Sequence, residues 1–124
     1  MNEYQFSFEK LAVWQLARKL ATAVYKVTQS FPAEEKFSLV SQIRRSAVSV
    51  SANIAEGTTR QTAKDQAHFT TISYSSLMEL FNHLIIAADL GYIRNDELVV
   101  YRQQIQQLSV KLSNLRASQV KRIN

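Results

Sequence analysis

The chain has 124 residues, 46% of them hydrophobic, with two glycines, one proline and no cysteine. This composition supplies one apolar core but excludes a loop-rich sandwich, a disulfide framework, a thiolate nucleophile and a cysteine-based zinc site. The net charge of +5 arises at one end: residues 1–97 carry ten basic and ten acidic side chains, whereas residues 98–124 carry Arg102, Lys111, Arg116, Lys121 and Arg122 and no acid.

At the N-terminus, Met1 to Gln5 lack a basic stretch followed by an apolar one, and no segment approaches the roughly 20 apolar residues of a membrane span. A soluble, unprocessed cytoplasmic protein with no membrane partner is expected. The first predicted helix covers residues 8–29, with Val13, Leu16, Ala17, Leu20, Val24 and Val27 spaced by three and four on one face. A second apolar row, Leu11, Trp14, Ala21 and Tyr25, lies about 100° round the same helix. One bundle core does not use both rows, so the second is expected to face another subunit.

Phe31 and Pro32 end this helix, and Glu34 and Glu35 suit the start of the next, predicted over 33–57. Its stripe is Val40, Ile43, Ala47, Val50 and Ile54, flanked by a small polar row of Gln42, Ser46, Ser49 and Asn53. The alternation from Val48 to Ser51 resembles a short strand. It is embedded in the longer helical pattern and has no strand to pair with, so the helix reading prevails, with serines allowing close approach of neighbouring helices.

Gly57 reads as a C-cap, and Thr62 with Asp65 has the spacing of a capping box. The third predicted helix spans 63–90, with Phe69, Ile72, Ser76, Leu80, Leu84 and Ala87 or Ala88 inward, and ends at Gly91 with Tyr92 and Ile93 closing over the cap. Asn95 is the expected cap of the fourth, 96–117, whose seam is Leu98, Tyr101, Ile105, Leu108, Leu112 and Leu115. A basic tail, 118–124, follows. Short connections make consecutive helices antiparallel, so the chain reads as a single domain over 1–124: all-α, an up-down-up-down antiparallel four-helix bundle.

Chemistry is sparse. His68 and His83 lie about 22 Å apart along one helix, so they cannot share a metal, and Glu79 with His83 is a two-group contact of the kind helix surfaces carry. No metal or other cofactor is expected. Asp65, His68 and the serines offer no strained nucleophile turn or oxyanion pocket, and there is no phosphate-cradling glycine loop. What remains is basic: Arg44, Arg45, Arg60 and Lys64, with Lys111, Arg116, Lys121 and Arg122. Arginine forks suit phosphate, and the helix start at Thr62 offers N–H groups to the same anion. Against this, Arg44 or Arg45 could instead pair structurally with Glu56 or an acid of another helix. No aromatic side chain interleaves with these residues in sequence, so contacts to the nucleic-acid backbone are expected rather than base stacking.

The stretch Gln42 to Gly57, QIRRSAVSVSANIAEG, resembles the signature of bacterial four-helix-bundle proteins encoded within intervening sequences of 23S ribosomal RNA genes, often labelled ribosomal-protein-like. Phe8 to Trp14, the Phe31, Pro32, Glu35, Phe37 turn, Arg60, the run Ser76 to Leu80, and Leu90 to Ile93 agree with it, from about Phe8 to Leu115. Ser75 stands where a glycine is usual and Phe81 where an acid is usual, which removes a helix partner for Arg44 or Arg45. The resemblance implies a ring-like homopentamer and an RNA or other nucleic-acid role. A related branch serves as the accessory protein of diversity-generating retroelements, binding a reverse transcriptase and its RNA. The leading expectation is therefore a non-enzymatic nucleic-acid-binding homo-oligomer; the alternative is a protein-interaction scaffold or accessory subunit without direct nucleic-acid binding.

Overall fold

The backbone at Leu11 is extended (φ −76°, ψ 126°), so the chain enters through a separate 3-10 turn, Ser7–Lys10, before the first long helix, α1 (Ala12–Thr28). The turn is fastened by the Glu9 carboxylate, which accepts the Phe6 N–H at 2.8 Å, and the Phe8 ring stands edge-on to Trp14 at 5.0 Å. The fold is seen in a computed structural model that describes residues 3–123. Met1 and Asn2, used in reading the N-terminus, and Asn124, the end of the predicted tail, lie outside them.

A second 3-10 turn, Ala33–Glu35, precedes α2 (Leu39–Gly57), which therefore starts later than the predicted 33. The third and fourth helices are α3 (Ala63–Asp89) and α4 (Asn95–Lys121). Val48 to Ser51 lie inside α2, and there is no strand among the described residues. The helices pack consecutively and antiparallel as an up-down bundle, with the α2–α3 and α3–α4 seams the most extensive and α1–α4 the thinnest.

The core stripe of α2 is the one its sequence shows: Val40, Ile43, Ala47, Val50 and Ile54 are all buried. From α4 come Tyr101, Ile105, Leu108 and Leu112, with Leu98 and Leu115 partly buried at the ends of the seam. Each fully buried leucine, such as Leu77, Leu80, Leu84, Leu108 and Leu112, stabilises by about 2 kcal/mol relative to exposure. In α3 the upper part of the stripe slips by one position. Thr70, Ser73 and Leu77 are buried, while Phe69, Ile72 and Ser76 are only partly so.

The slip has a polar cause. Ser73 Oγ donates across the seam to the Val50 carbonyl at 3.0 Å, and Thr70 Oγ1 donates to Gln119 Oε1 at 2.7 Å. Ser49 and Ser76 share a 2.8 Å hydrogen bond between α2 and α3, the close approach expected of small serines. That approach continues to Gly57. A Cβ there would stand 3.1 Å from Phe69 Cβ, and its φ is not positive, so Gly57 is a packing glycine inside the last turn of α2 rather than the expected left-handed cap. Gly91 is the left-handed one, at φ 79°. Its N–H donates to the Ala88 carbonyl at 3.0 Å and that of Tyr92 to Ala87 at 2.9 Å, the Schellman pattern, and Ile93 is buried over it.

Two further corrections concern α4. Its N-cap is Arg94, not Asn95: the Glu97 carboxylate accepts the Arg94 N–H at 3.1 Å, satisfying a donor that the helix leaves open. Most of the predicted tail is helix as well, because Gln119 is buried against Thr70 and holds the last turns onto α3.

Candidate nucleic-acid interface

The start of α3 and the end of α4 meet at one end of the bundle, joined by side chains that reach across. Arg116 Nε donates to Thr71 Oγ1 at 2.8 Å, and Arg122 Nη2 donates to Gln66 Oε1 at 2.9 Å. The Gln66 amide in turn donates to the Arg60 carbonyl at 2.9 Å, tying in the α2–α3 turn, and the Arg60 guanidinium lies 4.4 Å over the Phe69 ring. Thr62 caps α3 by accepting the Asp65 N–H at 3.1 Å, which leaves Lys64 exposed in the first turn. Lys121 is exposed in the last turn of α4. Arg60, Lys64, Arg116, Lys121 and Arg122 thus gather at this end, with Glu56 and Asp65 as nearby acids. Lys111, half-buried, stands further up α4.

The opposite end carries both signs: Lys26, Lys36, Arg44, Arg45 and Arg94 stand there among five carboxylates. Glu34 and Glu35 follow α1, Asp89 ends α3, and Asp96 and Glu97 open α4. There the hydrogen bond from Arg94, at 3.0 Å, holds the Asp96 carboxyl below its usual range. The first end thus has a surplus of cations, whereas the second is near balance.

Arg44 and Arg45 do not join the basic cluster. From Arg44 to Gly57 alone is about 20 Å of helix. Arg44 is turned onto α1: its Nε donates to Thr28 Oγ1 at 3.0 Å, its Nη2 to the Tyr25 carbonyl at 3.1 Å, and its guanidinium lies 4.6 Å over the Tyr25 ring. The structural partner is thus a helix end rather than Glu56 or another acid. Arg45 is exposed. At Phe81, where an acid was to be expected, Arg102 lies over the ring at 4.8 Å.

The second apolar row of α1 is mostly covered by its own chain. Leu11, Trp14 and Ala21 pack against the core, with Trp14 flanked by Phe8 and, at 5.4 Å, by Arg18; Tyr25 is 42% exposed beneath Arg44. His83 is nearly buried, its Nε2 3.8 Å from Glu79, beyond hydrogen-bond reach. Among the described residues no three His, Asp or Glu side chains come together as a metal-ligand set. No helix among them is long and apolar enough to cross a membrane.

The sequence model of the family described as 23S rRNA-intervening sequence protein matches residues 9–114. The chain belongs to this family. A crystal structure of a protein of unknown function from the S23 ribosomal protein family of Bacteroides thetaiotaomicron superposes with a TM-score of 0.78 at 21% identity, covering 85% of this chain and 98% of that one. That likeness establishes the shared helical fold. No curated protein matches. Neither the family description nor the structural neighbour names a catalytic activity.

Sequence reasoning missed Tyr74. It lies 37% exposed in a groove of about 240 Å³ between α3 and α4, lined also by Thr71, Ser75, Leu112, Ser113 and Arg116. A signal for it existed. With the α3–α4 turn centred near Ile93, residues equidistant from that turn face each other, which sets Tyr74 beside Ser113 and one turn from Arg116.

Proposed function

We propose that the chain is a non-enzymatic, homo-oligomeric RNA-binding protein of the cytoplasm that holds RNA mainly by its phosphate backbone. The observation carrying this reading is the convergence of Arg60, Lys64, Arg116, Lys121 and Arg122 at one end of the bundle. Cations spread over about 60 residues of sequence become one electropositive end, which attracts a polyanion. Lys111, further up α4, extends the contact. Self-association would repeat the patch and raise the effective concentration for a chain spanning several copies. It draws on Leu11, Trp14, Ala21 and Tyr25 where their edges remain accessible, and on exposed Val99 and Val110, which share one outer face of α4.

The test is fluorescence anisotropy with a labelled single-stranded RNA at several salt concentrations, alongside light scattering. Binding is expected to weaken with salt, by about 0.7 log units per log unit of salt for each phosphate neutralised. The variant Arg60→Ala, Lys64→Ala, Arg122→Ala should reduce both affinity and slope at unchanged oligomer mass. An oligomer that binds no RNA at low salt would overturn the reading and favour the protein-interaction scaffold. A strict monomer at micromolar concentration would remove the homo-oligomer.

A further inference from the structure

We propose that the groove between α3 and α4 is a stacking slot for one unpaired nucleotide, with Tyr74 taking the base and Arg116 the adjoining phosphate. The proposal rests on the RNA-binding reading and adds what phosphate contacts lack: a preference for single strands over duplex.

Three features carry it. The groove, of about 240 Å³, is lined by one aromatic ring, one guanidinium and the hydroxyls of Thr71, Ser75 and Ser113. Tyr74 is 37% exposed within it, fixed in the middle of a 27-residue helix, so a base can stack on the ring with little ordering of the protein. Leu112 forms an apolar floor, and Met78, 38% exposed one turn along α3, continues the apolar surface.

Arg116 is held for its role. Its Nε is engaged by Thr71 Oγ1 at 2.8 Å, and that hydroxyl donates to the Ala67 carbonyl at 3.0 Å. Among the described residues only Nε of Arg116 is hydrogen-bonded, so the fork of terminal nitrogens serves a phosphate. Ser75 and Ser113 offer donors and acceptors to a base edge.

The slot is also continuous with the basic end. Lys64, His68, Thr71 and Ser75 recur along one face of α3 at helical spacing, leading from the α3 start to Tyr74. Other exposed aromatics lack this setting. Tyr25, 42% exposed, has one face occupied by an Arg44 guanidinium that is itself bonded to α1, Phe37 has Lys36 against its ring, and Tyr4 and Phe6 meet edge to face before α1.

The experiment compares the protein with Tyr74→Phe, Tyr74→Leu and Arg116→Met, each checked for unchanged oligomer mass and melting. The probes are a labelled uridine-rich single strand, its DNA counterpart, the same strand with abasic positions, and a duplex. Tyr74→Leu should weaken the intact single strand about tenfold, the size of one base stack, without changing the salt slope. Tyr74→Phe should bind as the unaltered protein does. Arg116→Met should weaken binding and lower the slope, and the abasic strand and duplex should be indifferent to Tyr74. Equal weakening of RNA and DNA supports a slot reading the base alone; a larger loss for RNA supports one that also reads the 2′-hydroxyl. Crosslinking with 5-iodouridine RNA should mark the peptide bearing Tyr74.

If single strands bind with a normal salt slope but neither Tyr74→Leu nor base removal changes affinity, the slot is overturned and the RNA-binding reading stands. Crosslinks confined to other peptides overturn it as well. If no strand binds the unaltered protein at low salt, both fall.

Discussion

The Arg44 guanidinium and the Thr28 hydroxyl close the C-terminal end of α1, with Nε donating to Oγ1 at 3.0 Å while the same hydroxyl donates to the Val24 carbonyl at 2.7 Å. The last carbonyls of a helix have no intrahelical donors, and a cation there also opposes the negative end of the helix dipole. Arg44 further donates to the Tyr25 carbonyl and covers the Tyr25 ring. Arg44→Ala is therefore expected to lower stability by about 1–2 kcal/mol in urea unfolding. Arg44→Lys should rescue little, since an ammonium cannot reproduce the fork. Arg45→Ala, at an exposed neighbour, should stay within about 0.5 kcal/mol. Equal losses at both positions would contradict a capping role specific to Arg44.

Gly57 and Phe69 set how closely α2 and α3 cross. Alanine normally gains about 1 kcal/mol over glycine inside a helix. Here the added methyl would stand 3.1 Å from Phe69 Cβ, an atom fixed to the α3 backbone, so relief requires the helices to part. Gly57→Ala should destabilise by about 1 kcal/mol and Gly57→Leu by about 3 kcal/mol, measured by chemical denaturation. A stabilised Gly57→Ala protein would show that the seam yields. Gly91→Ala should cost about 1 kcal/mol for a different reason, its φ of 79°.

Hydrophobic spacing made the four helices and three of the core stripes legible, including Val13, Ala17, Leu20 and Val24 in α1. Val40, Ile43, Ala47, Val50 and Ile54 in α2, and Tyr101 to Leu112 in α4, could be placed without coordinates because apolar residues at three-and-four spacing have one way to be buried together. The α3 stripe could not be placed this way. Ser73 and Thr70 enter the interior through hydrogen bonds to Val50 and Gln119, and an apolar pattern does not register polar residues satisfied by a distant partner. Helix starts were misjudged where a separate 3-10 turn precedes the helix, Ser7–Lys10 before α1 and Ala33–Glu35 before α2, because the turn continues the helical spacing of residues. Among the basic residues, type was legible but grouping was not: Arg44 and Arg60 are close in sequence yet at opposite ends, whereas Arg60 and Arg122 are drawn together through Gln66.

The Thr70–Gln119 contact predicts that α4 needs its last turns. Both side chains are buried, at 4% and 7% exposure, so removing one partner leaves the other polar group without its bond in a place water does not easily reach. Gln119→Ala is expected to cost about 2 kcal/mol. Thr70→Val with Gln119→Leu should cost less than the sum of the single changes, which a double-mutant cycle measures directly. A chain ending at Ala117 should lose at least as much stability as Gln119→Ala. If it melts as the full chain does, the last turn contributes nothing to the fold.

Alkaline pH should loosen the bundle at the end that bears Glu35 and Glu97. The Tyr92 hydroxyl donates to Glu35 Oε2 at 2.9 Å, and this bond, then burial and the charges of Glu35 and Glu34, raise its pKa above the ordinary 10.0. Burial, then the charge of Glu97, raises that of Tyr101 as well. The folded state thus holds these protons more tightly than the unfolded chain. The resulting stability is fully present below the unfolded value near 10 and is lost as pH rises through the raised folded values. The melting temperature should change little between about pH 7 and 9 from these groups and fall from about pH 10 upward. Tyr92→Phe removes the Glu35 bond, so it should melt lower at neutral pH yet decline less steeply above about pH 10, narrowing the gap to the unaltered protein. Thermal melts followed by circular dichroism across this range decide it. Parallel declines of the two proteins would remove the Tyr92–Glu35 pair as a source of alkaline sensitivity and leave Tyr101.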